Sequence, residues 1–395
     1  MWKLCLCLPC QATTGAVYPA GQDKGKTFIG PVITITNTTG VRRFVIEPKT
    51  AQNQTPATTT LWSVSSSPHI RSSESVEKIM WTVTACLVPP LILSVFVFGI
   101  QVLLITAVSV LSCMAVETIS QKALGRPVTV RDGSAALTGM LMAFIIPPGV
   151  SFLLPILGAV MAIYIGKHLL GGIGYNIFNP ALLGRAFLLA TFPVAMTSAW
   201  LPPLTDGAVF SYLGSSIDAV STATPLAVMK EQGMAVFAET FGSPADIYGS
   251  FFLGWRPGCV GETSGLLILL GGLYLMYRRY ITWHIPVSIL GSIAVLTWIF
   301  GGETLFSGDP LLAVLTGGAL LGAFFMATDY VTSPSTRTGQ VIYGICIGSL
   351  TVLIRLKGGY PEGVCYAILL MNPLSAAFDS WFKAKRFAPP VGGEK

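Results

Sequence analysis

The residues Asp218-Ala219-Val220-Ser221-Thr222-Ala223-Thr224 bring three hydroxyls into a run of small side chains, the last of them directly before Pro225. A threonine hydroxyl in such company can be esterified by a phosphate. The same hydroxyls can equally make local backbone hydrogen bonds in an ordinary loop, and the residues alone leave both readings open. Glu262-Thr263-Ser264 opens an apolar block. Free amides in a first helical turn can receive a phosphate or another negative charge, whereas the bland alternative is a plain helix cap. Glu262 would repel a phosphate, which leaves Thr263 and Ser264 as the better candidates.

Arg185 and Asp329 stand inside or at the end of apolar runs, where ionisable groups are costly and usually face a cavity, a partner or a cofactor. They could pair with each other; both could also snorkel to the membrane surface, the reading preferred for Asp329. Asn176 and Asn179, beside Gly171-Gly172, can satisfy backbone groups freed by a helix break or line an ion path. Cys86, Cys113, Cys346 and Cys365 lie singly in apolar segments, and Cys5, Cys7 and Cys10 have no second ligand pair. With His69, His168 and His284 scattered, no protein-ligated metal and no set of catalytic residues is expected.

These groups must be positioned by membrane elements. Over 395 residues the chain is 52% hydrophobic and only 11% charged, and its mean hydropathy is +0.68. Too few charges remain to cover a soluble surface, so a polytopic membrane protein is expected. The net charge of +6 comes without a basic run interleaved with aromatics, so it reads as membrane orientation, and nucleic acid is not expected as a partner.

Residues 1–60 have no sustained period and are expected to be a mostly disordered extension or a mis-assigned start. After an amphipathic entry helix, apolar blocks are predicted over 82–99, 102–119, 134–146, 151–166 and 177–194. Five more are predicted over 265–277, 285–300, 311–328, 340–354 and 364–378. The organisation is thus 61–195 as a first membrane repeat, 196–258 as a connecting loop, 259–382 as a second repeat and 383–395 as a tail. Several blocks are shorter than the roughly 20 residues an upright span needs. Short, Gly- and Pro-interrupted segments in matching halves are the mark of inverted repeats with broken helices. Gly139 to Phe144, followed by Pro147-Pro148, parallels Gly322 to Ala327, followed by Ser333-Pro334, and Asn179-Pro180 answers Asn372-Pro373. The expected fold is all-α, with about ten transmembrane segments in two inverted five-helix repeats, urea-channel-like.

Lys122, Arg126, Arg131, Lys167, Arg278, Arg279, Arg337, Lys383, Lys385 and Arg386 share one side if the amino terminus is cytoplasmic. The loop 196–258, with Thr224, then faces outward. Arg355 and Lys357 break this rule.

Ser65-Ser66-Ser67-Pro68-His69-Ile70-Arg71, Arg131-Asp132-Gly133-Ser134-Ala135, Asn179-Pro180-Ala181-Leu182-Leu183-Gly184-Arg185-Ala186-Phe187, Gly261-Glu262-Thr263-Ser264, Met326-Ala327-Thr328-Asp329 and Gly358-Gly359-Tyr360-Pro361-Glu362-Gly363 are the longest motifs. Together they resemble the RnfD family of membrane proteins from the Rnf ion-translocating electron-transport complex, and more distantly the NqrB family from the sodium-pumping NADH:quinone reductase. The resemblance covers about 61–381. It implies a multi-pass protein of the bacterial cytoplasmic (inner) membrane, in a complex that passes electrons between ferredoxin and NAD and moves sodium ions or protons. It further implies that Thr224 carries covalent FMN through a phosphoester, attached by an FMN transferase that reads Asp218 through Thr224, including Ser221, Thr222 and Ala223. Thr222 stands where the pattern usually has glycine. Arg185 becomes a candidate for holding a second, non-covalent flavin, and the implied partners are the other subunits, among them a second flavin-carrying one, and membrane lipid. A small-solute channel of the same fold, without a redox role, is the alternative, and a scaffold that has lost its flavin is a third; a channel has no need of the Asp218 to Thr224 motif.

Overall fold

The structure is a computed structural model that describes residues 32–38, 41–47, 74–204, 225–230, 237, 244–255, 257–302 and 304–382. Asp218, Ser221, Thr222, Ala223 and Thr224, the Ser65 to Arg71 motif and the tail 383–395 lie outside the described residues. The chain divides into two units, 1–73 and 74–395.

In the first unit β1 (Val32–Thr38) and β2 (Val41–Glu47) pair antiparallel, with Thr38 opposite Val41 and Val32 opposite Glu47. Alternating Ile and Thr in β1 suits a pleated ribbon. This regular element stands inside 1–60, where no sustained period was expected. The Ile-Thr alternation of β1 was the available signal.

The second unit is helical among its described residues. Ser75 caps α1 (Val76–Phe98) by accepting from the Lys78 N–H at 3.2 Å. Just ahead of it, Glu74 pairs with Lys78 at 2.9 Å and accepts from the Tyr280 hydroxyl at 2.7 Å. Gly99, at φ +82, separates α1 from α2 (Ile100–Ala123). With the later helix Arg337–Lys357 these are the three described helices long and apolar enough to cross a membrane. The apolar side chains they leave exposed, such as Phe96, Leu111 and Ile119, suit lipid.

The other helices are shorter. α3 (Ser134–Ile145) and α5 (Pro180–Thr191) have 12 residues each, about 18 Å of helix against a hydrocarbon core of about 30 Å. Between them α4 (Leu153–His168) is π-helical from Val160 to His168. α6 (Pro193–Ser198) and α7 (Pro244–Leu253) flank the connecting segment. Then come α8 (Gly265–Tyr277), α9 (His284–Phe300), α10 (Pro310–Leu315), α11 (Ala319–Leu321, continuing as a π-helical turn over Gly322–Met326) and α12 (Arg337–Lys357). α13 (Val364–Met371) leads through the 3₁₀ turn Asn372–Leu374 to α14 (Ser375–Trp381). The block predicted as continuous over 311–328 is therefore interrupted, because Gly317 and Gly318 both take left-handed φ, +62 and +63.

The packing is similar in the two halves. α2 lies on α3 and α4, and α4 on α5; later, α9 lies on α11 and α12, and α12 on α13. Contacts of α1 with α8 and of α5 with α13 join the halves. Small residues set the close approaches: a Cβ on Gly139 would come within 2.8 Å of the Ser109 carbonyl, and the Ser109 hydroxyl donates to the Gly139 carbonyl at 2.7 Å. Gly344 and Gly348 of α12 likewise admit Ser288 and Ser292 of α9.

Candidate functional site

The break between α10 and α11 is held from outside. Asp309 caps the start of α10, accepting from the Leu311 and Leu312 N–H groups at 3.0 and 3.1 Å. At its other end Arg355, reaching across from α12, donates to the carbonyls of Ala313 at 2.6 Å, Thr316 at 2.9 Å and Gly317 at 3.4 Å. A guanidinium matches the negative end of a helix dipole and replaces the hydrogen bonds the break removes. Arg355 is only 8% exposed. Its exception to the positive-inside pattern thus has a structural cause: it caps a buried half-helix.

Beside this break, Arg185 of α5 forms an ion pair with Glu362, both nearly buried. Arg185 therefore does not pair with Asp329, as the sequence suggested. Leu182, Arg185, Cys259, Glu262, Glu362 and Cys365 are among the residues around a cavity of about 20 Å³. The Cys259 thiol points to the Ile145 carbonyl at 3.7 Å and that of Cys365 to the Leu182 carbonyl at 3.8 Å. Cys259, Glu262 and Glu362 each offer a ligand atom within 4.8 Å of the others, but Arg185 already supplies the cation that Glu362 requires. The cavity holds about one water and no ring system. Arg185 consequently does not fit the role of a flavin holder.

Thr263 and Ser264 are 1% exposed. The Thr263 hydroxyl and N–H both go to the Val260 carbonyl, at 2.8 and 3.4 Å. Ser264 accepts from the Leu267 N–H at 3.3 Å as the cap of α8 and donates to the Phe252 carbonyl. Both hydroxyls are engaged in closing a turn and starting a helix, the plain-cap alternative, and neither is presented to a phosphate.

A second junction forms where α5 begins. Asn179 accepts from the Ala181 and Leu182 N–H groups at 3.1 and 3.5 Å and donates to the Met326 carbonyl at 3.1 Å, tying α5 to the end of α11. With the Asn372 amide oriented to match its neighbours, it accepts from the Asn179 N–H at 2.9 Å and donates to the Ile368 carbonyl at 3.0 Å. The two Asn-Pro dipeptides therefore meet instead of occupying equivalent places. One starts a helix, the other follows one.

A cavity of about 90 Å³ opens at this junction, with Thr138, Lys167, Asn176, Asn179 and Asp329 among its walls. Asp329 is half-buried, not displaced to the surface, and accepts from Thr332 at 3.2 Å and Asn176 at 3.5 Å. A neighbouring pocket of about 50 Å³, walled by Tyr280, Phe324 and Tyr330, shares Met80, Leu137, Phe325 and Asp329 with it.

Sequence reasoning missed a buried cluster behind this cavity, which contributes Lys167 and Ser134 to its walls. Glu117 of α2 accepts from Lys167 at 2.6 Å and Gln121 at 3.2 Å. Lys167 also donates to the Ser134 hydroxyl at 2.6 Å, and Ser134 in turn donates to Asp132 at 2.7 Å. His168 stands 3.6 Å from the same Glu117 oxygen. The available signal was Glu117 itself, a carboxylate within an apolar run. Lys167, read as a loop cation, is 3% exposed and paired.

A family model described as the NQR2, RnfD, RnfE family matches residues 63–388. Among characterised proteins the chain is 47% identical over 329 residues to the D component of the Proton-translocating ferredoxin:NAD(+) oxidoreductase complex of Clostridium ljungdahlii, across 83% of this chain and 96% of that one. It is 43% identical over 325 residues to the D component of the Na(+)-translocating ferredoxin:NAD(+) oxidoreductase complex of Acetobacterium woodii, across 82% and 94%. To the D component of the Ion-translocating oxidoreductase complex of Cellvibrio japonicus the identity is 37%, across 81% and 93%.

Proposed function

This chain belongs to the NQR2, RnfD, RnfE family, and from that membership we propose that it is the flavin-carrying membrane subunit of an Rnf-type complex. The complex would pass electrons between ferredoxin and NAD and couple that transfer to moving sodium ions or protons across the bacterial cytoplasmic membrane. The observation that carries the ion-moving part is the mainly apolar cavity at the junction of α5 and α11, into whose walls Asp329, Asn176, Asn179 and Lys167 bring polar groups. Ionisable groups at that depth, beside interrupted helices, are what ion paths are built from. The matching packing of the two halves, each with a half-helix begun by a left-handed glycine (Gly133 before Ser134, Gly318 before Ala319), supports two inverted five-helix repeats.

On this reading Thr224 carries FMN as a phosphoester, installed by an FMN transferase at the Asp218 to Thr224 motif on the outer side, with the amino terminus cytoplasmic. FMN supplies the one- and two-electron chemistry; the chain fixes where the ring can reach. The other subunits, including a second flavin carrier, would receive its electrons.

The deciding experiment is mass spectrometry of the Thr224 peptide from complex made with an FMN transferase, in wild type and Thr224→Ala. An FMN-sized addition present only in wild type is expected. Covalent flavin persisting on the denatured Thr224→Ala chain would show that another residue is the acceptor, and its absence from both would favour a channel of the same fold.

A further inference from the structure

The residues that directly follow the Asp218 to Thr224 motif are helical over 225–230, and three of them reach into different parts of the membrane body. Leu226 lies on Gly317, where a Cβ would come within 2.5 Å of Leu226 Cδ1 and 2.6 Å of Arg355 Nη2. Gly317 thus has a bare Cα at the one place where Leu226 and the Arg355 cap both need room. Val228 is buried in a small core with Phe237, Ile247, Phe251 and Leu312, the last of which belongs to α10. Lys230 donates to the Gly358 carbonyl and, at 3.3 Å, to that of Tyr360.

The third contact is the unexpected one. Leu226 and Val228 bury apolar surface for the ordinary reason. A lysine in an exposed position ordinarily keeps its ammonium in water and its rotamers free. Here the ammonium binds two neutral carbonyls that lie 128 and 130 residues further along the chain. Gly358 follows α12, the helix that carries Arg355, and Tyr360 stands two residues before Glu362, the partner of Arg185. The short helix is therefore held near both of its ends, at the glycine break by Leu226 and at the end of α12 by Lys230. Tyr248 ties the same half-helix to the connecting segment by donating to Asp309, the cap of α10.

We propose that 225–230 is a rigid arm for the covalent flavin, with Leu226 as its seat and Lys230 as its latch, so that Lys230 is a positioning residue for electron transfer that acts through the tether. The inference rests on the reading of Thr224 as the FMN acceptor. Thr224 is one peptide bond from Pro225, about 3.8 Å between Cα atoms across a trans peptide. Pro225 is buried and its ring fixes φ. A tether rooted beside it starts from a held point. A phosphoester alone keeps the flavin on the chain without keeping it in place, and the ring would spend less time where its partners can reach it.

Two readouts on the full chain in detergent test the arm. After flavinylation by an FMN transferase, Lys230→Ala and Leu226→Ala should each enlarge the fast, local component of the time-resolved anisotropy of oxidised FMN, with FMN content by mass unchanged. Lys230→Arg, which can donate to the same carbonyls, should restore the wild-type decay. The second readout needs no flavin. A nitroxide on Thr224→Cys, with other accessible cysteines replaced, should give a broad, immobilised spectrum that narrows in Lys230→Ala but not in Lys230→Arg. In the assembled complex Lys230→Ala should slow ferredoxin-dependent reduction of NAD about tenfold at unchanged flavin content. Unchanged anisotropy and an unchanged nitroxide spectrum in Lys230→Ala would overturn the arm while the proposed function stands. If wild-type Thr224 carries no FMN, the proposed function falls and the arm has no flavin to hold.

Discussion

Arg185 and Arg355 are 170 residues apart in sequence by their numbers, yet both end in the same buried neighbourhood, around Gly317 and Glu362. They differ in what they neutralise. Arg185 faces a full carboxylate, so removing one partner strands the other in low dielectric. Arg185→Leu is expected to cost about 3–5 kcal/mol, and Arg185→Leu with Glu362→Leu much less, because breaking a buried pair is worse than replacing it. A double-mutant cycle on thermal unfolding in detergent measures this. Arg355 instead serves three neutral carbonyls. Arg355→Met should cost about 3 kcal/mol or more, since charge-assisted bonds to otherwise unmet groups are lost. No second substitution at a single acidic residue should restore it. At this scale the sequence marked Arg185 and Asp329 as unusual but could not pair them. Arg185 lies 177 residues from its true partner Glu362, and nothing in local spacing ranks that carboxylate above Asp329. Glu117 was overlooked because its run, Val102 to Ile119, was apolar enough on average to hide one charge.

Helix contacts depend on small residues at one spacing. Gly344 and Gly348 form a G-x-x-x-G face on α12 against Ser288 and Ser292 of α9, whose hydroxyls bond back into their own helix. Without a hydrophobic force between helices in lipid, such contacts hold by close approach. Gly348→Leu should therefore separate the two helices and destabilise the protein by about 2 kcal/mol or more. Ile345→Leu, on the exposed side of α12, should leave unfolding unchanged, and the same thermal assay compares them. At the start of α1 the Glu74 carboxyl is held below its usual range, first by hydrogen bonds from Lys78 and Tyr280 and then by the charges of Lys78 and Arg278. A depressed carboxylate contributes stability above its unfolded value, near the ordinary 4.5, and loses it as pH falls through the lower folded value. Acid should thus loosen the link from α1 to Tyr280, and Glu74→Gln should remove that pH dependence; hydrogen exchange at the first turn of α1 reads it. The apolar blocks were legible element by element, since composition and length fix them. The interruption at Gly317-Gly318 was not, because two glycines in an apolar run are as common in packed continuous helices as in broken ones.

At the scale of the whole molecule, orientation is the property most exposed to test. With other cysteines replaced, Leu124→Cys is expected to react with a membrane-impermeant maleimide only after cells are opened. Thr304→Cys, beyond the far end of α9, should react in intact spheroplasts. The reverse pattern would invert the topology. Two of the cations that argued for or against this orientation, Lys167 and Arg355, turn out to be buried in ion pairs and caps. The positive-inside count therefore rests on the loop residues, chiefly Lys122, Arg126, Arg278 and Arg279. The helical membrane class was readable because apolar blocks with few charges run through most of the chain. The Asn-Pro correspondence misled because a dipeptide that starts a helix and one that follows a helix look alike in sequence.

The cap on α10 has a bearing on how the protein is made. Its carbonyls at Ala313, Thr316 and Gly317 precede Arg355 by 42, 39 and 38 residues. During synthesis the half-helix thus leaves the ribosome long before the side chain that completes it. In hydrocarbon those carbonyls would each forfeit several kcal/mol. The segment must wait at the insertion machinery, or beside water, until α12 arrives, so the break and its distant arginine enter the bilayer as one package.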